Sequence, residues 1–550
     1  MFRFIKNLYY QLKTIYNLKK QFNIIHNKFY DNTLFIIGNN NFNKPILENA
    51  SGEQLLDKQL NNHNKKGLKL EFDLELEKEL EKELEKELEK FKNMVFESGS
   101  LYVKFLQWYI SKLKSSIDKN NSIEQQHFQH YFIDYFQDIF ENCPFHELKY
   151  TIEIFRQSMP GYELENYVDM STFKEIASGS IGQIYYAQRL SDCKEIAIKI
   201  KHPDIAHDIE NQIELVRVLR YLQSFECVRK RYNMVFKIDD FIEDITLQCD
   251  FNNEANNCKQ FRNNFSNSTD KIIFPEILYQ SNDLLISEYI PGYNIDILTD
   301  TQKNELTLNF VCFFYQMLLV DNFLHGDLHC KNWKVRVNDA GKPQIVVYDC
   351  GICFSNIDLQ LTRDFWFAIG KYDVEKMTDV LNRFLIINNQ NHIDINLEEE
   401  IRNIFNIILK NSVGVGMVMK SIIHFFQNHN IIIHKFLLNF SILMCLIEDF
   451  LKNNDVINRE RNINNIDYNS NMYDIINENQ LDIITYCNVR NCYPEVSKLL
   501  LAELNTKHAE YKNNKSSFFS DDTPSNTDTP TNTQLFSNIK LSGLTFKPPE

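Results

Sequence analysis

Between Phe323 and Asn332 the chain reads Phe-Leu-His-Gly-Asp-Leu-His-Cys-Lys-Asn, and the apolar run Ile345-Val346-Val347-Tyr348 then leads to a second acid, Asp349, with Gly351 close behind. Asp327, then Asn332, then an Asp at the end of an apolar strand is a spacing with a definite chemical meaning. In kind these are a proton acceptor, an amide carbonyl and a hard oxygen ligand, the set that phosphoryl transfer with Mg2+ needs. The first stretch alone is moderately specific. With the strand and the Asp-x-Gly behind it, the pattern restricts the chain to few folds.

With 550 residues the chain has room for two to four domain-sized units. A net charge of -15 argues against nucleic acid as a partner. Asn, Ile and Lys are abundant and Gly is scarce, at 15, which reads as the coding bias of an AT-rich genome and takes functional weight off the Asn runs. The 12 Cys form no framework, and with no secretory signal the expectation is a reducing, intracellular compartment. Cys350-Gly-Ile-Cys353 has the form of a redox or zinc pair, but no second pair stands near it to complete a site. The most apolar stretch, Ile431 to Leu451, carries His434, Lys435, Asn439, Glu448 and Asp449, so it is expected to be a core helix and not a membrane span. Near the N-terminus, Arg3, Lys6, Lys13, Lys19, Lys20 and Lys28 alternate with Phe and Ile and no acid precedes Asp31. That pattern suits a transit peptide or a membrane-surface helix, with a basic helix packed on its own protein as the plainer reading.

Six segments follow. Residues 1–50 are the basic and apolar N-terminus, and 51–92 hold a Glu-Leu-Glu-Lys repeat with Leu76, Leu80, Leu84 and Leu88. A four-residue repeat drifts around a 3.6-residue helix, so a solvated helix or spacer is expected there. Residues 93–170 show helical spacing, 171–290 are strand-rich, 291–512 are mostly helical apart from the strand before Asp349, and 513–550 are a Ser/Thr/Asn/Asp/Pro-rich tail expected to be disordered. A β-rich lobe followed by an α-rich lobe, with a helical extension in front, is the α+β, two-lobed architecture of protein kinases.

Four features stand in the order that this architecture requires. Ala177-Ser178-Gly179-Ser180-Ile181-Gly182-Gln183 is a small-residue turn between two strands, through which backbone N–H groups can approach phosphate, although alone it could be a plain hairpin. Lys199 closes the strand Ile196-Ala197-Ile198, where an ammonium can meet the α- and β-phosphates. Asp327 and Lys199 are the catalytic candidates, with Asn332 directed at the metal. Asp349 is the second metal ligand. The strand Leu284 to Ile290, broken by Pro291-Gly292, ends in Glu288, Tyr289 and Ile290 as further ATP-binding candidates. His325 is read as a brace for the loop. A transition-metal cluster of His325, His329 and Cys330 has no remote ligand set to support it. Lys199 also needs an acid to hold it. Glu210, Glu214 and Glu254 are all placed to serve, and spacing does not choose among them.

The residues linking these features resemble the UbiB/ADCK family of atypical kinase-like proteins over roughly 95–450. The resemblance is carried by the Ala/Ser-rich loop Ile176 to Tyr185, by Lys199-Ile-Lys-His-Pro203, by Glu254-Ala255-Asn256-Asn257, by His325 to Asn332, and by Lys104-Phe105-Leu106-Gln107 for the family's K-x-G-Q helix. It implies ATP and Mg2+ as cofactors, Glu254 as the partner of Lys199, and Lys104 and Gln107 on a regulatory helix across the site. It further implies ATP hydrolysis or phosphorylation of a lipid-like small molecule, with links to isoprenoid quinone or lipid metabolism at a membrane or in an organelle. Three positions depart from the pattern: Leu106 replaces a Gly, Gln248-Cys249-Asp250 lacks the first acid of the family's E-x-D, and Lys331 replaces a Gly before Asn332. The altered positions leave room for a pseudokinase acting as a nucleotide-gated binding module. A small-molecule kinase of the aminoglycoside or choline kinase type shares the H-G-D-x-H-x-x-N loop, but the Ser180-Ile-Gly-Gln183 turn and the Lys104/Gln107 helix argue against it. The acceptor and the oligomeric state are not written in the motifs.

Overall fold

The computed structural model describes residues 16–28, 82–99, 102–107, 123–136, 143–203, 220–227, 237–329, 331–356, 358–371, 373–387, 396–411, 431–453 and 480–505, with a few single positions between them. Glu210, Glu214, Cys330 and the tail lie outside the described residues.

In the segment Glu-Ile-Ala-Ile-Lys-Ile-Lys, side chains alternate across a pleated strand, so Ile196, Ile198 and Ile200 are buried on one face while Ala197 and Lys199 turn to the other. The same period organises a five-stranded antiparallel sheet. Helices α1 (16–28), α2 (82–97), α3 (102–107), α4 (Ile123–Phe136) and α5 (Leu148–Ser158) precede it. Strands β1 (Val168–Ser178), β2 (Gly182–Arg189), β3 (Glu195–Lys201), β4 (Ile272–Ile273), β5 (Ile277–Gln280) and β6 (Leu284–Glu288) follow, and the sheet order is β1-β2-β3-β6-β5. Phe155 of α5 packs with Ile196, Ile198, Ile200 and Ile286, covering one face of the sheet. The other face carries Lys199.

Helices α6 (Ile238–Gln248) and α7 (Phe251–Asn264) lie between β3 and β4. Phe251, Glu254, Ala255, Cys258 and Phe261 fall on one helical face of α7 and are all buried. Asp250, the surviving acid of the altered triplet, caps this helix by accepting from the Asn252 N–H.

The second lobe is built on α8 (Asp300–Tyr315), opened by a capping box between Thr299 and Gln302. Phe310, Phe313 and Phe314 of α8 enter one large core with Trp333, Trp366, Phe436 and Phe440. The helix Lys435–Asn453 buries Phe436, Leu437, Phe440, Leu443 and Met444 there, and no described helix is long and apolar enough to cross a membrane.

The structure differs from the sequence reading in three places. The second lobe holds four strands, not one: β7 (Leu324–His325), β8 (Trp333–Val337), β9 (Pro343–Val347) and β10 (Cys353–Phe354). Runs of two to five residues are too short for periodicity to show, and their partners are remote. The lobe boundaries also shift. β1 begins at Val168, and Ile272–Ile273, placed by sequence in the first lobe, pairs in parallel with β9 of the second. Third, the described part of the Glu/Leu/Lys repeat is not a solvated spacer. Leu84 and Leu88 are buried with Phe91 and Val95 against Ile25 of α1 and Phe128 and Phe132 of α4. Lys28 of α1 pairs with Glu83 and Glu87, so the described basic segment packs on its own protein.

Candidate active site

Three elements meet at the Lys199 ammonium. Its Nζ lies 2.7 Å from Glu254 Oε2 and 2.8 Å from Oε1 on α7, and 3.1 Å from Asp349 Oδ2 at the end of β9. Burial works against the charge on Lys199, but Asp349 and Glu254 outweigh it and raise its pKa. One ammonium is shared between a buried acid and a half-exposed one. Burial pushes the Glu254 carboxyl up to about 7, Lys199 holds it down, and the Asp349 charge adds to the rise. At the base of the cleft, loss of water disfavours the Asp349 charge, but Lys199 and the Gly351 N–H hold that carboxyl well below the usual range. Asp349 Oδ1 accepts from Gly351 N at 2.8 Å, and 41% of its side chain still faces the cleft.

The catalytic-loop residues are fixed by backbone contacts. His325 is fully buried. Its Nδ1 accepts from the Asp327 N–H at 3.1 Å, so Nε2 carries the proton and donates to the Asp349 carbonyl at 2.5 Å. His325 therefore ties the loop to the Asp349 turn, and burial pushes its pKa down, which keeps it a neutral brace. Asn332 Nδ2 donates to the Asp327 carbonyl at 2.8 Å, leaving Oδ1 outside the loop's own bonding. His329 Nε2 lies 3.6 Å from Asp327 Oδ2. Asn257 of α7 donates to the Cys350 carbonyl at 2.9 Å, and Tyr348 donates its hydroxyl to the Ile290 carbonyl at 2.9 Å. Spacing did not single out Asn257 or Tyr348. In the sequence Asn257 stands in the Glu254-Ala255-Asn256-Asn257 element of the resemblance with no role assigned to it, and Tyr348 only ends the apolar run before Asp349.

These groups line a cleft of about 350 Å³ between the lobes. Ala177, Gly179, Ser180, Ile181, Gly182, Lys199, Glu254, Glu288, Tyr289, Ile290, Asp327, Asn332 and Asp349 all border it, as do Lys104 and Gln107 of α3 and Gln248 of α6. Two candidates do not. Ser178 and Gln183, expected among the ATP-binding residues, are fully buried on the side of the loop away from the cleft. Neighbouring residues of a strand face opposite ways, so a continuous motif cannot present all its side chains to one ligand. Gln107 Oε1 accepts from Ser180 Oγ at 3.5 Å while its Nε2 donates to the Ile139 carbonyl at 2.9 Å, so α3 touches the loop directly.

Gly182 is required by packing as well as by the cleft. A Cβ there would stand 2.8 Å from the Ile200 carbonyl oxygen and 3.0 Å from Phe251 Cζ. Gly182→Ala is expected to destabilise the protein by about 1–3 kcal/mol, the usual cost of overpacking, in equilibrium denaturation. An unchanged midpoint would show that β2 and β3 are not in close contact there.

No group of three or more His, Cys, Asp or Glu among the described residues could hold a metal ion by itself, and Cys350 and Cys353 are free thiols with raised pKa values, Cys350 through its interaction with the Cys258 thiol and then burial, Cys353 through burial. The donors that do converge, the Asp349 carboxylate and the Asn332 amide, are hard oxygen ligands and suit Mg2+ shared with phosphate oxygens.

A β-sheet lobe over a helix-rich lobe, with a Lys–Glu–Asp cluster and a catalytic loop at their junction, defines a two-lobed protein-kinase-like protein. The profile of the ABC1 atypical kinase-like domain matches residues 137–381. Over that segment the chain carries an ABC1 atypical kinase-like domain, similar to proteins named UbiB and abkC. A probable serine/threonine-protein kinase abkC of Dictyostelium discoideum is 28% identical over 247 residues, covering 44% of this chain and 34% of that protein. A probable protein kinase UbiB of Aliivibrio fischeri is 30% identical over 200 residues, covering 35% and 37%. The chain thus spans about a third of the length of these relatives. Among solved structures, the Mycobacterium tuberculosis protein Rv3197, in complex with erythromycin, aligns at 15% identity and a TM-score of 0.37 over 55% of this chain and 80% of its own, a likeness too slight to argue from.

Proposed function

We propose that the cleft binds ATP with Mg2+ and that the chain hydrolyses it or transfers its phosphoryl group to a small, lipid-like acceptor. One observation carries this reading: Lys199 is held between Glu254 and Asp349, on the same cleft as Asp327 and Asn332. In this reading Asp349 and Asn332 hold the cation, which when bound neutralises phosphate charge. Lys199 orients the phosphates and Glu254 keeps its ammonium in place. Asp327, fixed by His325 and Asn332, accepts the proton of the attacking hydroxyl. Lys104, Gln107 and Gln248 border the same cleft, which favours a small acceptor over a folded protein. The test is phosphate release from Mg·ATP by the purified chain, with nucleotide binding followed by thermal shift. An absence of both overturns the reading.

The contact between Gln107 and Ser180 supports a second reading, a nucleotide-gated binding module in which α3 rests on the loop and turnover is lost. Binding of Mg·ATP without phosphate release selects it.

A further inference from the structure

We infer that His146 and His202 are positioning residues for the nucleotide loop: a neutral imidazole pair that ties Gly179 to the segment entering the kinase-like domain. The inference rests on the nucleotide-binding reading and names a device that the reading does not require.

With both rings neutral, the bonding around the pair admits one arrangement of protons. His202 Nε2 lies 3.0 Å from the Gly179 carbonyl, which can only accept, so Nε2 carries a proton. In a neutral ring Nδ1 is then bare, and it accepts from His146 Nδ1–H at 2.8 Å. That leaves His146 Nε2 to accept from the Thr151 hydroxyl at 2.8 Å. Thr151 in turn accepts from Tyr185 at 2.7 Å, and Tyr185 accepts from Gln183 Nε2 at 2.6 Å. The ring closes where the His146 backbone N–H donates to Gln183 Oε1 at 2.8 Å. Every donor meets an acceptor. Burial pushes both imidazoles below their ordinary pKa, His146 to about 4, which preserves the neutral state the network needs.

The chain places this network against the loop and not elsewhere. The Cys143 N–H donates to the Ser178 carbonyl at 2.9 Å, and the His202 N–H donates to the Ile181 carbonyl at 2.9 Å. Residues 178–181 are thus held from behind by 143–146 and by the residues after β3. Ser178 and Gln183, which do not face the cleft, belong to this support. Among the described residues the imidazoles' hydrogen bonds reach the cleft lining at the Gly179 backbone carbonyl, so they act by setting the shape of the loop.

The test compares His146→Phe, which keeps the ring packed against Tyr150 but removes both imidazole nitrogens, with His146→Asn, whose amide can still donate to His202. In wild type, 15N-histidine NMR should show two neutral rings joined by an N–H···N bond. Amide exchange at Gly179–Gly182, measured without nucleotide, should quicken in the Phe variant and return towards wild type with Asn. In turnover the Phe variant, which loses the bonds to His202 and Thr151, should raise the KM for Mg·ATP on the order of tenfold, with kcat within about twofold. Wild-type loop protection and KM in the Phe variant, or charged rings in wild type, overturn the pair's role. If the Phe variant does not fold, the NMR signature and the Asn variant decide, and separate rings in wild type overturn it. Wild type that shows no nucleotide binding at all, with the loop effects intact, overturns the nucleotide reading and leaves the pair as a structural tie only, which also ends its assignment as a nucleotide-positioning device.

Discussion

Asp349→Asn is expected to abolish Mg2+-dependent nucleotide binding while leaving the fold intact. The carboxylate supplies the one formal negative charge at the metal position that also reaches Lys199, and its Oδ1 is already oriented by the Gly351 N–H. An amide keeps the shape but loses the charge, and removing one charged partner from a close contact in a complex costs about 2–5 kcal/mol of binding, on the order of 10²-fold or more in affinity. The ligand-free protein should not suffer. Lys199 keeps Glu254, and the Glu254 carboxyl, now near 7 partly because of the Asp349 charge, should titrate lower. Thermal shift with ATP, in Mg2+ and in chelator, reads both effects. A Mg2+-dependent shift that survives the substitution removes Asp349 from the metal site.

Lys199→Ala is expected to reduce phosphate release by about 10²–10³, the loss typical of one preorganised charge partner. It also has a stability consequence that a surface lysine would lack. Glu254 is 5% exposed, and without the ammonium it faces Asp349 with only the weaker pull of Lys104 to offset it, a loss of about 3–5 kcal/mol for a broken buried pair. The sign of the pH dependence follows. With its folded pKa already raised to about 7 and raised further in the variant, Glu254 binds a proton in the folded state at pH values where the unfolded chain, near the ordinary 4.5, has released it. Stability therefore falls as pH rises between those values. Denaturation midpoints for the variant should be higher at pH 5 than at pH 8, more steeply so than in wild type. A flat difference between the two proteins, with turnover unchanged, places Lys199 outside the chemistry.

The residues of the candidate site could be picked out of the sequence because each part is local. Asp327 and Asn332 belong to one loop whose geometry their own backbone bonds set, and Asp349 and Lys199 each close a short apolar strand. Short-range rules of strand, turn and side-chain chemistry reach that far. They did not reach the partner of Lys199. Residue spacing left three acids open, and family resemblance, not periodicity, favoured Glu254, which reaches β3 because α7 buries its Phe251 and Phe261 face.

Ser178 and Gln183 show the opposite limit. Their motif was read as one ligand-facing strip, whereas the strand turns alternate residues to opposite sides, and what lies behind the loop is supplied by His146, a residue 37 positions away from Gln183. The Glu/Leu/Lys repeat is similar. A four-residue period specifies a helix, but whether Leu84 and Leu88 face water depends on the presence of α1 and α4, which the repeat does not encode. By itself the sequence determined the order of the lobes, the phosphoryl-transfer motif and the helical character of the extension, because propensity, period and spacing act over a few residues. Only the tertiary structure decided which acid holds Lys199, what supports the loop from behind and where the extension buries its apolar face, because those follow from contacts between segments whose separation in the chain carries no physical constraint on their meeting.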